Sequence, residues 1–110
     1  MYLFDTNIFL EILLSQEKSI DCKKALIDHS GHVFISDFSL HSIGVILFRY
    51  KKEEVFNSFV SDVLPKITIA SLSYEGYEEL SELKNKYNLD FDDSYQFKVA
   101  KDKYLVVVNI

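Results

Sequence analysis

Four aspartates hold the chemistry that this chain can offer. Asp5 closes a run of three bulky residues, Tyr2, Leu3 and Phe4, while Asp90, Asp92 and Asp93 crowd into four positions near the other end of the sequence. Carboxylates are hard oxygen ligands, and Mg²⁺ or Mn²⁺ is usually held by one or two of them, with water and substrate phosphate filling the remaining positions. A cation held in this way orients a water, lowers its pKa and neutralises charge that grows during in-line attack on a phosphodiester. No nucleophilic side chain is required. Simpler roles compete: an Asp after a strand serves well as a helix cap or turn residue, and acids in a first helical turn gain about 0.3 to 1 kcal/mol each from the helix dipole. Three acids in four positions exceed the needs of capping, and they repel one another unless something positive sits among them.

The elements that must position these acids are legible in the hydrophobic pattern. Tyr2 to Phe4 is apolar without alternation, as suits a strand covered on both faces in the middle of a parallel sheet. Helical spacing follows at once in Ile8, Phe9, Ile12 and Leu13, with Thr6 or Asn7 available to cap. Ser15 to Ser30 carries a second helical stripe, Cys22, Ala25, Leu26 and His29, before Gly31, a C-cap residue. His32 to Ser36 reads as a second buried strand. The helix after it, Leu40 to Phe48, leaves almost no polar face, and Gly44 within it points to close approach by a neighbour. Lys51 to Leu64 is amphipathic and ends at Pro65, the only proline. Lys66 to Ala70 alternates like a short strand near a sheet edge. Ser71 and Ser73 introduce a helix with Tyr74, Tyr77, Leu80, Leu83 and Tyr87 on one face and a solvated row of glutamates on the other. Asp90 is the natural N-cap of the last helix, and Leu105 to Val108 is a final apolar strand. The order β, α, α, β, α, α, β, α, α, β calls for an α/β fold, three layers α/β/α around a central, mostly parallel sheet of four to five strands. In such sheets ligands bind at the carboxyl edge, where Asp5 falls.

Composition narrows the options. The 110 residues suit a single domain spanning 1–110, and 48% hydrophobic residues, with seven Tyr and nine Phe, supply a packed core. Cys22 stands alone, so no internal disulfide forms, and a reduced, cytoplasmic setting is the simpler inference. It reads as a small core residue rather than a nucleophile. No apolar run is long enough to span a membrane, and the N-terminus lacks the features of a secretory signal. A formal net charge of −5 argues against nucleic-acid binding through a broad basic surface. An acidic chain that cleaves nucleic acid therefore needs bound cations to screen its carboxylates.

Three segments, FDTNIFLEILL, ISDFSLHSIGVIL and LDFDDSYQFKVAK, together resemble the PIN domains, small metal-dependent nucleases that include VapC-type toxins of toxin–antitoxin systems. The resemblance implies a Mg²⁺- or Mn²⁺-dependent ribonuclease, an RNA substrate, a protein antitoxin as partner and a homodimer. It assigns Asp5 and Asp93 as catalytic acids, with Asp92 joining them toward the metal, and Thr6, Asn7, Asp90, His41 and Ser42 in support. Two departures stand out. Ser42 occupies the position where the family commonly carries a glutamate, with His41 beside it, and the segment after the last strand, VVVNI, lacks the further acid that many members have. A histidine in so apolar a helix is expected to be packed. These departures support an alternative, a PIN-like fold that has lost activity and serves as a protein-interaction module. A receiver-type α/β domain binding Mg²⁺ for phosphoryl transfer fits less well, because neither VFIS nor KITIA ends in the aspartate that it would need.

Overall fold

A computed structural model describes residues 1–110. Strand β1 is Tyr2–Phe4, followed by α1 (Thr6–Leu13) and α2 (Ser19–Asp28). Then come β2 (Val33–Ser36), α3 (Asp37–Arg49), α4 (Glu53–Asp62) and a 3-10 turn, Leu64–Lys66, that holds Pro65. The chain continues through β3 (Thr68–Ala70), α5 (Tyr74–Glu78), α6 (Leu80–Tyr87), α7 (Phe91–Lys103) and β4 (Val106–Val108). All four strands are parallel, in the order β3-β2-β1-β4. The first strand is thus internal, with Leu3 beside both Phe34 and Val107, and β3 lies at an edge as its alternation suggested.

Two hydrophobic clusters explain the layering. Successive side chains of a strand point to opposite faces, and in β1 Leu3 enters one cluster while Phe4 enters the other, both fully buried. The Phe4 side is filled by Ile8, Phe9, Cys22, Ile43, Leu47 and Phe59, from α1 through α4. Leu80, Leu83, Tyr95 and Val99, from α6 and α7, fill the Leu3 side. Cys22 is a core residue: burial pushes its thiol upward, and Glu11 and Asp21 add to the shift. His29 packs edge-on against Tyr2 and Phe4, its Nδ1 2.7 Å from the Ala25 carbonyl oxygen.

Three local features differ from the hydrophobic pattern. The segment read as one helix up to Tyr87 breaks at Glu79, whose N–H closes the turn on the Gly76 and Tyr77 carbonyls. The break lets the Glu79 carboxylate pair with Lys98 while Leu80 and Leu83 enter the core, and it leaves Tyr74, Tyr77 and Tyr87 largely exposed. At the first strand end the cap is Asp5 itself rather than Thr6 or Asn7. His41, expected to be packed, is exposed, because the buried stripe of α3 runs through Ser39, Ile43 and Leu47.

Helix α3 is covered by its own chain on one side only. Ile43 and Leu47 are fully buried, whereas Val45 and Phe48 remain exposed at 42% and 53%. A groove of about 710 Å³ runs along this face, lined by Asp37, Leu40, His41, Gly44, Val45, Phe48 and Phe56. Gly44 forms its floor, and Phe56 of α4 packs there, 3.4 Å from where a Cβ would stand. That separation is ordinary van der Waals contact. Gly44→Ala is therefore expected to stabilise the fold by about 0.5 to 1 kcal/mol through helix propensity, whereas Phe59→Ala, in the sealed core, should cost about 3 to 5 kcal/mol. Urea denaturation of the two variants checks both signs.

Candidate active site

The carboxyl end of β1 runs directly into α1 through Asp5. Its backbone is extended (φ −68°, ψ 153°), its Oδ1 accepts from the Thr6 N–H at 2.9 Å, and its own N–H donates to the Val108 carbonyl at 2.9 Å. The residue is thereby fixed at both backbone and side chain beside the end of β4. Asp90 caps α7 by accepting from the Asp93 N–H at 2.8 Å, so the second acid cluster is also a helix start. Asp92 and Asp93 lie in that first turn, exposed like Asp90, while Asp5 is half-buried.

Electrostatics tie the two distant segments together. The carboxyl of Asp93 is held above the ordinary carboxylate range, first by the charge of Asp90, then by burial, by the charge of Asp5, by a hydrogen bond with Asp90 and by Asp92. Three like charges act on one carboxyl, and no lysine or arginine offsets them. Lys98, on the same helix, is engaged by Glu79 and by Asp102, the latter at 2.8 Å. Such a site suits a hard cation. No three His, Cys, Asp or Glu side chains are gathered closely enough to enclose a metal ion alone. The donor set therefore fits the kind of site in which one or two carboxylates leave other positions to water and phosphate.

A neutral polar network lies beside the acids. The Ser39 hydroxyl sits 2.6 Å from Thr6 Oγ1, receives Ser36 Oγ–H at 3.2 Å and receives the Gln96 amide at 3.1 Å. Ser36 in turn accepts from the Ser39 N–H at 3.0 Å, capping α3. The Tyr95 hydroxyl donates to the Asp37 carboxylate and accepts from the Leu72 N–H at 3.4 Å, and burial followed by the Asp37 bond raises its pKa. Hydrophobic patterning did not single out Gln96. A signal for Gln96 existed: it lies three residues after Asp93, on the same helix face.

The remaining expected site residues fall elsewhere. Ser42, half-buried, lies one turn along α3 from Ser39 and brings no charge to the acids. His41 opens onto the apolar groove with Asp37. Asn7 is exposed and lines a separate hollow with Glu11, Arg49 and Ile110. Thr6 alone of the supporting set is joined to the polar network.

A raised carboxyl pKa means that the folded chain holds the Asp93 proton more tightly than the unfolded chain does. Stability therefore falls as pH climbs from the unfolded value, near 3.9, through the higher folded value, and the charged form stays a burden above it. In EDTA at pH 7, Asp93→Asn should melt no lower than the native chain. Millimolar Mg²⁺ or Mn²⁺ should raise the melting temperature of the native chain and not that of the variant. Thermal melts with and without chelator measure both effects.

Comparison with known proteins places the fold. The family model for the PIN domain matches residues 2–108. None of the curated proteins compared with the chain resembles it closely enough to count as a match. Among solved structures, the chain is similar to one described as a toxin-antitoxin complex from Klebsiella pneumoniae, at 24% identity and a TM-score of 0.79, covering 99% of this chain and 85% of the other. It is also similar to Mycobacterium tuberculosis VapC20, described as a sarcin-ricin loop cleaving toxin, at 14% identity and a TM-score of 0.81, covering 96% and 85%. FitAcB from Neisseria gonorrhoeae gives 20% identity and a TM-score of 0.72, covering 99% and 86%. At such identities the structures attest the fold. With a parallel sheet carrying Asp5 at the end of its internal first strand, and a family match across all but the terminal residues, the chain belongs to the PIN domain family.

Proposed function

We propose that this chain is a PIN-type endoribonuclease dependent on Mg²⁺ or Mn²⁺, and the toxin of a toxin–antitoxin pair. The observation that carries the reading is the Asp93 carboxyl, crowded by Asp90, Asp5 and Asp92 with no cation from the protein to offset them. Asp5 and Asp93 would hold the cation, with Asp92 beside them. When bound, such a cation supplies Lewis acidity to a phosphate oxygen and acidifies a water. The protein's own part is to aim the carboxylates: Thr6 N–H fixes Asp5, and the Asp90 cap fixes the first turn that bears Asp93. The exposure of Asp90, Asp92 and Asp93 leaves room for a polynucleotide to approach. An RNA substrate and an antitoxin partner draw support from the solved structures just described, one a cleaving toxin and one a toxin-antitoxin complex. A cytoplasmic setting belongs to the same reading, alongside a single, buried cysteine and the absence of any helix long and apolar enough to cross a membrane.

A second reading has its own observation. Ser42 supplies no carboxylate, and α3 presents an apolar groove. These features favour a protein-contact module, and a homodimer through the exposed Val45 and Phe48 face is part of it. The two readings separate on catalysis.

Asp5→Asn and Asp93→Asn should each abolish Mn²⁺-dependent cleavage of RNA with the fold intact, since Asn keeps size and much capping capacity but loses the charge. Asp90→Asn should cost far less, and should move the acid limb of the pH–rate profile to lower pH, because the largest cause of the raised Asp93 pKa is removed. Exposed and away from the acids, His41 should be replaceable by Ala without loss of cleavage. Full cleavage by Asp93→Asn, in protein free of contaminating ribonuclease, would favour the contact module. Sedimentation over a range of concentrations should reveal a dimer that Phe48→Asp dissociates, and a native chain that stays monomeric at every concentration contradicts that part.

A further inference from the structure

We propose that Gln96 and Ser39 are positioning residues for the Asp5 and Asp93 pair, acting through a directed hydrogen-bond relay that ends at the Thr6 hydroxyl. The inference rests on the nuclease reading above and deepens it. Its basis is a count of protons and lone pairs. A serine hydroxyl has one proton to give and two lone pairs to receive. Ser39 Oγ receives the Gln96 Nε2–H at 3.1 Å, and an amide nitrogen can only donate. It also receives the Ser36 Oγ–H at 3.2 Å, while Ser36 Oγ is itself occupied by the Ser39 N–H at 3.0 Å. Both lone pairs of Ser39 are then used, and its single proton goes to Thr6 Oγ1 at 2.6 Å. Thr6 accepts from Ser39, so its own hydroxyl proton is left for the acid side of the site.

The relay joins the elements that carry the two acids. Gln96 lies one turn after Asp93 on α7, Ser39 is buried at the start of α3, and Thr6, next to Asp5, donates its N–H to the Asp5 carboxylate at 2.9 Å. Three helix starts are thus held in one register by neutral bonds, close to a carboxyl cluster whose like charges push it apart.

A second observation gives the amide a purpose beyond packing. Gln96 Oε1 is buried with no hydrogen-bond partner. Leaving a buried acceptor unpaired costs about 1 to 3 kcal/mol, whereas apolar groups of the same shape in place of both partners can be nearly neutral. The orientation that feeds Ser39 is kept in spite of that cost. Ser94 Oγ, one turn from Asp90, is likewise buried and unpartnered, but it has no bond to the relay and so serves as a control.

The test reads Mn²⁺ binding directly, by isothermal titration of the chain with the metal alone, alongside cleavage kinetics and melting in EDTA. Gln96→Met, of similar shape without a donor, should weaken Mn²⁺ binding about tenfold and lower kcat by a similar factor, in the range seen when partners of metal-holding groups are removed. KM for RNA and the melting temperature in EDTA should stay near native values, which separates positioning from a merely structural role. Thr6→Val, isosteric and at a half-buried position, should show the same loss, and Thr6→Ser should restore native binding. The double variant Thr6→Val, Gln96→Met should lose no more than the worse single, as members of one chain of bonds do. Ser94→Ala should bind Mn²⁺ like the native chain. Native Mn²⁺ affinity in Gln96→Met, or in Thr6→Val should the former not fold, overturns the relay and leaves the nuclease reading standing. So does a double variant whose losses multiply. If the native chain binds Mn²⁺ no better than Asp93→Asn does, the nuclease reading falls and the relay falls with it.

Discussion

Covering both faces of one short strand is the constraint from which the rest of this molecule follows. Leu3 and Phe4 are adjacent, fully buried and on opposite sides of the sheet, so neither helical layer can be absent without exposing one of them. At about 25 cal/mol per Å² of apolar surface, two such side chains represent several kcal/mol of burial, a large share of the net stability of a small domain. Parallel pairing of β1 with both β2 and β4 settles its place. An internal parallel strand needs crossover connections, and the helices supply them. Asp5 follows immediately, at the carboxyl end, where the helix starts α1, α3 and α7 gather.

That gathering creates a tension between stability and chemistry. Asp93 pays for its neighbours with a raised pKa, and the local remedies a fold ordinarily uses are missing: the nearby Lys98 is committed to Glu79 and Asp102. A purely structural helix start has no need of this arrangement, because Asp90 alone caps α7. Sites that carry function often tolerate such local conflict, with the surrounding packing holding it in place. Here the packing is the Val99 and Leu3 side of the core, together with the neutral bonds of Ser36, Ser39 and Gln96.

The apolar groove on α3 poses a separate question of surface. Monomeric chains seldom leave large apolar faces in water, and Val45, Phe48 and the floor at Gly44 form a continuous one. Asp37 stands at its end and is held by the Tyr95 hydroxyl, which grows from the same helix as Asp93. A contact in the groove therefore lies one hydrogen bond away from the helix that bears the acids. Catalysis and protein contact are compatible uses of the two surfaces, and the helix α3 has residues facing each.

Much of this was decided locally. The apolar triplet of β1, the stripes of α1 and α4, the cap at Asp90 and the edge character of β3 all follow from period, propensity and capping chemistry within a few residues. The burial of Cys22 and the approach of a neighbour to Gly44 were legible on the same grounds. The coupling of Asp5 to Asp93 was legible only through the alternating order of strands and helices and through resemblance to the PIN domains. Contacts between distant segments were not legible at all. Whether Ser39 meets Thr6 and Gln96, whether Glu79 breaks a helix to reach Lys98, and whether His41 faces solvent or core all depend on how far each helix is rotated against the sheet. The hydrophobic period reports which stripe of a helix is apolar, but α3 is apolar nearly all round, so its rotation was left to the packing of Ile43 and Leu47 against Phe4 and Phe59. Polar residues on such a helix carry no period of their own, and only the tertiary structure decides which of them meet.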